Sequence, residues 1–230
     1  MKIPTLSLLA IASLILAPAL RAEDGWISMF NGKDLAGWKS NAATEEKPEE
    51  KANVFTVTPE GTLKVDGGRA HLFYVGPDGN AKFKNFEFKA MVMTTAAKTD
   101  KDVGSNSGIY IHTAFEEKGW PSKGYECQVN STHKDIKKTG GLYAVADVLN
   151  DAPSKDGVWF EYNIKVEGKH ITLKIDGKTT ADWTEPADWD PATALKNMPG
   201  RKLSEGTFAI QGHDPRSTTF YKDIFVKPLP

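Results

Sequence analysis

Turn signals interrupt this chain at short intervals. Pro59-Glu60-Gly61, Asp66-Gly67-Gly68, Glu167-Gly168 and Asp176-Gly177 each stand between short runs of strand-forming residues. An Asp-Gly pair between alternating runs is a strong hairpin signal. No segment of useful length has a 3.6-residue period, and only residues 191–198 can make a short helix. Chains punctuated in this way cannot build helical layers. They build antiparallel sheets that must cover one another's apolar faces. The expected fold is all-β, a jelly-roll sandwich of two antiparallel sheets; periodicity alone does not separate it from a closed barrel.

Roughly a dozen strands are expected. Residues 54–57, 62–65 and 69–75 come first, then a longer run at 83–93, with Phe86, Phe88, Ala90 and Val92 on one face and Glu87 and Lys89 on the other. Residues 159–166, 171–175 and 178–183 form a meander, and 208–213 and 218–226 close the chain. Residues 42–52 are charged and contain proline, so they read as a surface loop.

The chain has 230 residues, 40% hydrophobic and 26% charged, with a formal net charge of −1. One domain over 23–230 is the default for that composition. The charge gives no footing for a nucleic-acid or anionic-membrane partner. Residues 1–22 read as a secretory signal peptide, with Lys2, an apolar run from Leu6 to Leu16 and small residues near Ala22. The expected location is therefore periplasmic or secreted. Cys127 is the only cysteine, so no intrachain disulfide can form. It alternates with Glu126 and Gln128 and should face the core as a small hydrophobe.

Residues able to do chemistry concentrate between Gly104 and His133. Strand side chains alternate between faces. Glu126, Gln128 and Asn130 therefore share one face, opposite Tyr125, Cys127 and Val129. By the same count Tyr110 and His112 lie opposite Ile109 and Ile111. Amides and a carboxylate on one face suit sugar hydroxyls, and Tyr110, Trp120 and Tyr143 could cover the apolar side of a ring. A solvated sheet face backed by core aromatics has the same residues. His112, His133 and His213 stand at strand ends or beside polar faces, while His71 and His170 read as structural or surface residues. Loops 113–123, 131–139 and 183–205 should rim the face.

Several enzyme signatures are missing. There is no phosphate-cradling loop, dinucleotide fingerprint or His-Glu-x-x-His, and Gly104-Ser105-Asn106-Ser107-Gly108 has the wrong spacing for a nucleophile elbow. A retaining glycosidase needs two carboxyl groups about 5–5.5 Å apart. The polar strand offers only Glu126.

One family resemblance covers nearly the whole mature chain. It rests on Trp26, Phe30-Asn31-Gly32-Lys33-Asp34-Leu35 and Gly37-Trp38; on Asn106-Ser107-Gly108-Ile109-Tyr110, Tyr125-Glu126 with Gln128, and Thr139-Gly140 with Tyr143; and on Trp159, Tyr162, Ile210-Gln211 with His213, and Phe220 to Ile224. In these the chain resembles the 3-keto-disaccharide hydrolase domain family. The resemblance implies a concanavalin A-like jelly roll and a carbohydrate or glycoside substrate oxidised at carbon 3. It departs at His112, where family members often carry Arg.

A 3-ketone acidifies the hydrogen on carbon 2. One base can then expel the anomeric group, and water can add back to give net hydrolysis. That route needs one base and enolate stabilisation, which a divalent cation of unspecified identity could supply. The resemblance and the residue pattern together nominate Glu126 and His112 as catalytic. Gln128, Gln211, Tyr110, Tyr143, Trp120 and Asn106 are nominated for substrate binding, and His112, Glu126, His133 and His213 as metal ligands. A non-catalytic, lectin-like carbohydrate-binding module is the alternative reading. The leaving group and oligomeric state are not legible.

Overall fold

The computed structural model describes residues 23–41, 54–96 and 104–230. The signal-peptide reading of residues 1–22 and the loop reading of 42–52 lie outside the described residues.

Two antiparallel sheets face each other. The first runs, in spatial order, β13 (Lys178–Thr184), β12 (His170–Ile175), β11 (Phe160–Glu167), β6 (Asn85–Thr94), β15 (Thr218–Leu229), β4 (Leu63–Asp66) and β3 (Phe55–Val57), with β1 (Ile27–Ser28) also paired to β15. The second runs β10 (Ala146–Leu149), β9 (Lys137–Leu142), β8 (Tyr125–Asn130), β7 (Asn106–Thr113), β14 (Thr207–Gly212), β5 (Ala70–Tyr74) and β2 (Trp38–Ser40). This is the expected jelly-roll sandwich. The one α-helix among the described residues, α1 (Pro191–Ala194), falls in the segment expected to hold it. Its first turn is capped by Asp190, whose carboxylate accepts from Ala192 N–H.

The alternation in the sequence decides which side chains meet between the sheets. Phe86, Phe88, Ala90 and Val92 of β6 and Tyr162, Ile164 and Val166 of β11 face inward from one sheet. Ile109, Cys127, Val129 and Ile210 face them from the other. The Cys127 thiol is fully buried, and that burial holds it far above the ordinary thiol range, so it packs as a hydrophobe.

The two sheets differ on their outer faces. In β6 buried and half-buried residues alternate, as expected for a sheet with one wet side. In β7, β8, β14 and β5 every residue is buried. The polar face of the second sheet is roofed by loops, so Glu126, Gln128, Gln211 and His71 are buried as well as polar. That roofed face is where a functional site has to be sought.

β9 and β10 escaped the sequence reading, which placed residues 131–139 in a loop. Lys137-Lys138-Thr139-Gly140-Gly141-Leu142 has no apolar alternation. Its inward lysine is accommodated by polar bonds: Lys138 Nζ donates to the His133 carbonyl at 2.6 Å and to Asn130 Oδ1 at 3.5 Å.

Candidate functional site

A cleft of about 450 Å³ lies on the roofed face. Its floor comes from neighbouring strands: Glu126 and Gln128 from β8, Tyr110 from β7, Gln211 from β14. Trp120 to Ser122 wall one side and Asn197 to Arg201 another. Loops 113–123 and 183–205 thus rim the cleft as expected. The third side is closed by Tyr143, in the turn between β9 and β10. Residues 131–139 stand behind it, through a Tyr143–Asp135 hydrogen bond of 3.3 Å.

Glu126 is the hub of the floor. It is 6% exposed. Its Oε1 accepts from Gln211 Nε2 at 2.8 Å, and its Oε2 accepts from Tyr110 OH and from Arg201 NH2, both at 2.9 Å. The guanidinium also lies over the Tyr110 ring, 5.1 Å from its centroid. Burial would discharge Arg201, but the Glu126 charge outweighs it and holds the guanidinium pKa above the ordinary arginine value. Burial, followed by the Glu126 charge, pushes the Tyr110 hydroxyl far up, so it remains a donor. A buried carboxylate without such partners would be severely penalised. The cleft therefore holds a fixed cation and a fixed hydroxyl.

Gly108 makes this arrangement possible. It faces Gln128 across the β7–β8 pair, directly under the Glu126 side chain. A Cβ at Gly108 would come within 2.7 Å of Glu126 Oε1 and 3.0 Å of its Cγ. Gly108→Ala should leave the strands intact but push the carboxylate off its donors. Overpacking of this kind costs about 1–3 kcal/mol, so melting should fall by about 3–10 °C. An alanine variant with unchanged melting and an unmoved Glu126 in its crystal structure would show that the close approach is not required.

Arg201 is held by a latch at the base of its loop. Glu185 is buried and accepts from Leu203 N–H at 2.6 Å, from Tyr125 OH at 2.9 Å and from Lys169 Nζ. Trp189 Nε1 donates to the Arg201 carbonyl at 2.7 Å. These bonds hold the backbone at Arg201 and two residues after it, and so fix where its side chain enters the cleft.

At the far end of the cleft floor, just beyond β14, His213 Nδ1 donates to Asp214 Oδ2 at 2.8 Å. A carboxylate can only accept here, so Nδ1 carries the proton and the neutral ring keeps a lone pair on Nε2. Burial opposes ionisation of Asp214, but hydrogen bonds from His213, Ser217 and Arg216 outweigh it and hold the carboxyl well below the usual range. His133 packs edge-on against His213, with its Nε2 3.8 Å from Asp214 Oδ2. Its Nδ1 accepts from Asp135 N–H at 3.2 Å, and burial lowers its pKa. Among the described residues, His133, His213 and Asp214 form the one group close enough to share a metal ion.

His112 is not in the cleft, and the expected His112–Glu126 pairing is corrected here. A bulge interrupts the β7–β14 pair, where the register shifts between Thr207 and Ala209. His112 carries the extra residue at φ 54°. The bulge turns its ring to the core side, where Nε2 bonds the Lys84 carbonyl at 2.9 Å and the ring meets Phe86 edge-on. Nδ1 accepts from Ser204 N–H at 3.3 Å. Neither ring nitrogen is left for substrate or metal.

The other nominated residues are placed as follows. Gln128, Gln211, Tyr110, Tyr143 and Trp120 line the cleft. Asn106 is buried beside His133, its Nδ2 3.4 Å from His133 Nδ1. Of the nominated metal ligands, His133 and His213 come together with Asp214 as the third donor, while Glu126 is engaged by Arg201. Arg201 and Asp214 were not singled out from the sequence, and His71 reads there as structural. Asp214 could have been found from its adjacency to His213. Arg201 could have been anticipated only from the need of a buried Glu126 for a cation.

A family model described as a 3-keto-alpha-glucoside-1,2-lyase-like domain matches residues 25–227. No curated protein matches the chain in sequence. Among solved structures, one from Parabacteroides distasonis ATCC 8503, described as a candidate glycosyl hydrolase, is 21% identical with a TM-score of 0.70, covering 90% of this chain and 94% of that one. A second from the same organism, described in the same way, is 20% identical with a TM-score of 0.62, covering 89% and 99%. Carbohydrate-binding module CBM66 from Bacillus subtilis is 12% identical with a TM-score of 0.50, covering 84% and 96%. Identities this low establish the shared fold and nothing finer.

Proposed function

The chain belongs to the 3-keto-alpha-glucoside-1,2-lyase-like domain family, and from this premise we propose that it cleaves the glycosidic bond of a glycoside whose ring is oxidised at carbon 3. The reaction is elimination across carbons 1 and 2, followed by addition of water. His213 takes the proton from carbon 2, the C2–H electron pair forms the C1–C2 double bond as the anomeric oxygen leaves with the C1–O pair, and the imidazolium returns its proton to that oxygen. Asp214 keeps the His213 proton on Nδ1, so Nε2 is the nitrogen able to accept, and then stabilises the imidazolium. Arg201 faces the ketone oxygen, where negative charge gathers, while Tyr110 gives its one O–H to Glu126 and so steadies the carboxylate that anchors the guanidinium. Gln128 and Gln211 orient hydroxyls and transfer no protons.

One observation carries this reading: an imidazole oriented by a carboxylate and a fixed guanidinium line the same cleft. An elimination next to a ketone needs one base and one cationic anchor for the oxygen. It has no use for a pair of carboxylic acids across a scissile bond, and among the described residues the cleft is lined by one acid, Glu126. The same features support catalysis over simple binding, since a binding module has no need of an oriented base. Residues 1–22 support the further proposal that the enzyme acts outside the cytoplasm. Among the described residues no helix is long and apolar enough to cross a membrane.

A divalent cation on His133, His213 and Asp214 would supply Lewis-acid stabilisation of the enolate. The hydrogen-bond pattern fits that role poorly. Asp135 N–H occupies His133 Nδ1, which leaves the proton on Nε2, the nitrogen aimed at Asp214. Metal-bound imidazoles usually have the reverse pattern, with the remote nitrogen donating. No step above is routed through a metal.

The test is an assay on a 3-keto-glucoside and its unoxidised parent, each with and without chelator. Aglycone should be released from the keto sugar alone, with chelator present or absent. Equal turnover of the parent would reject elimination. Turnover lost to chelator and restored by a divalent ion would reassign His133, His213 and Asp214 as ligands. Glycan binding without turnover of either compound would leave a carbohydrate-binding module.

A further inference from the structure

His71 is buried (1% exposed), and neither of its ring nitrogens has a hydrogen-bond partner. One of those nitrogens must carry a hydrogen, so an N–H donor and a lone pair are both orphaned in the protein interior. Such groups are rare and costly, and each calls for an explanation. The nearby Gly119 carbonyl attracts a His71 N–H, but no hydrogen bond of good geometry forms, and that carbonyl accepts from Asn41 Nδ2 at 3.0 Å.

The surroundings of His71 supply the explanation. It faces Gln211 across the β5–β14 pair, so it continues the polar row of the cleft floor by one more strand. Gln211 Oε1 and Gln128 Oε1, in the same row, are also buried without partners. From Gln128 on β8, past Gly108 and Gln211, to His71 on β5 the row crosses three strand spacings, about 14 Å in all. The cleft stops short of His71 because Trp120 stands over it, with the rings edge-on at 5.3 Å. Trp120 itself is 39% exposed, and its other neighbour is His213 at 6.0 Å. A large aromatic ring partly in solvent therefore covers floor atoms, the His71 nitrogens and Gln211 Oε1, that have no internal partners.

We propose that Trp120 is a movable cover over a second sugar subsite, floored by His71 and Gln211, that takes the hydroxyl-bearing ring of the leaving group. When that ring enters, Trp120 moves off His71 and stacks on the ring's apolar side. The two His71 nitrogens and Gln211 Oε1 then receive the ring hydroxyls. Burial keeps the imidazole neutral, so it offers one donor and one acceptor, a match for vicinal hydroxyls. This rests on the glycoside reading above and adds to it where the second ring of the substrate sits, so that compounds with small aglycones leave this subsite unfilled.

The test measures binding of unoxidised sugars, so it does not depend on any chemistry. Affinities of the full-length protein are compared within two pairs, maltose with methyl α-glucoside and cellobiose with methyl β-glucoside. At least one disaccharide should bind about tenfold more tightly than its methyl glycoside, the size of one or two net hydrogen bonds. His71→Phe, which keeps the ring volume, should abolish that difference and leave the methyl glycoside unaffected. The disaccharide should also change tryptophan fluorescence, a signal missing from Trp120→Phe and from the methyl glycoside. No preference in the wild-type protein, no binding of either pair, or a preference that survives His71→Phe would overturn the proposal. Preference without turnover of any 3-keto sugar would leave the subsite standing and remove the elimination reaction instead.

Discussion

Glu126→Gln and Arg201→Gln should each lower kcat/KM on a 3-keto-glucoside by about 10²–10³-fold, the usual cost of losing a preorganised charge in a dry site. The two losses should be nearly equal, and the double variant should be scarcely worse than either single one. Both substitutions break the same object, the guanidinium held over Tyr110 by the carboxylate at 2.9 Å. Residues that act as one unit give non-additive losses. Stability should show the same coupling. Either single variant leaves a buried charge unpaired, at a cost of about 3–5 kcal/mol, while the double variant leaves none and should recover part of it. Melting curves and a double-mutant cycle read both effects. A Glu126 acting as the base would give another pattern: Glu126→Gln far worse than Arg201→Gln, and His213→Gln nearly harmless. His213→Gln should instead lower kcat/KM by about 10²–10⁴-fold with Glu126 and Arg201 intact. A Glu126-specific loss would transfer the base to Glu126 and leave Arg201 as its anchor.

Strands were legible in this chain because alternation and Gly-containing turns report directly on which side chains can share a core. Cys127, Ile109 and Ile210 lie beneath the cleft as alternation required, and Glu126, Gln128 and Gln211 lie on its floor. The error at His112 has a specific physical source. Alternation assumes an unbroken ladder, and one extra residue reverses the side chain that follows. Two glycines from other parts of the chain make room for the bulge. A Cβ at Gly124 would lie 2.0 Å from the Ile111 carbonyl oxygen, and one at Gly206 would lie 2.3 Å from that of Thr113. Their sequence positions do not reveal that they converge on His112.

Arg201 was illegible for a related reason. It sits in Asn197-Met198-Pro199-Gly200-Arg201, a stretch with no periodicity, and its importance comes from a partner 75 residues away. The latch at Glu185, which ties down the same loop, is equally long-range. His71 shows the opposite failure. Its place between Ala70 and Leu72 in an apolar run made it look structural, and its strand position was correctly expected. Only the roof over the second sheet shows that its face is the floor of a cleft.

Acid should destabilise the wild-type protein well before any carboxylate titrates, and His71→Phe should remove much of the effect. Burial lowers the His71 pKa from its ordinary value to about 3, against the opposing pull of the Gly119 carbonyl and with smaller help from the His213 and Arg201 charges. The folded state therefore stays unprotonated at a site where the unfolded chain takes a proton below about pH 6.5. Stability from this group is present above pH 6.5 and is lost as pH falls toward 3, at about 1.4 kcal/mol per pH unit. Between pH 7.5 and 5 the loss is about 2 kcal/mol, a large fraction of a stability of 5–15 kcal/mol. Over the whole window it approaches 5 kcal/mol. His112 and His133 are also lowered by burial and add to the slope in the same direction. Asp214 and Glu185, whose folded values are depressed, begin to contribute only nearer pH 4. Urea midpoints at pH 7.5 and 5 thus isolate the histidines. The wild-type unfolding free energy should fall over this range, and that of His71→Phe should fall by about 2 kcal/mol less. An equal fall in both proteins would mean that the His71 ring takes up its proton in the folded state. It would then reach solvent or a carboxylate without unfolding, which requires the Trp120 cover to be open in the unliganded protein.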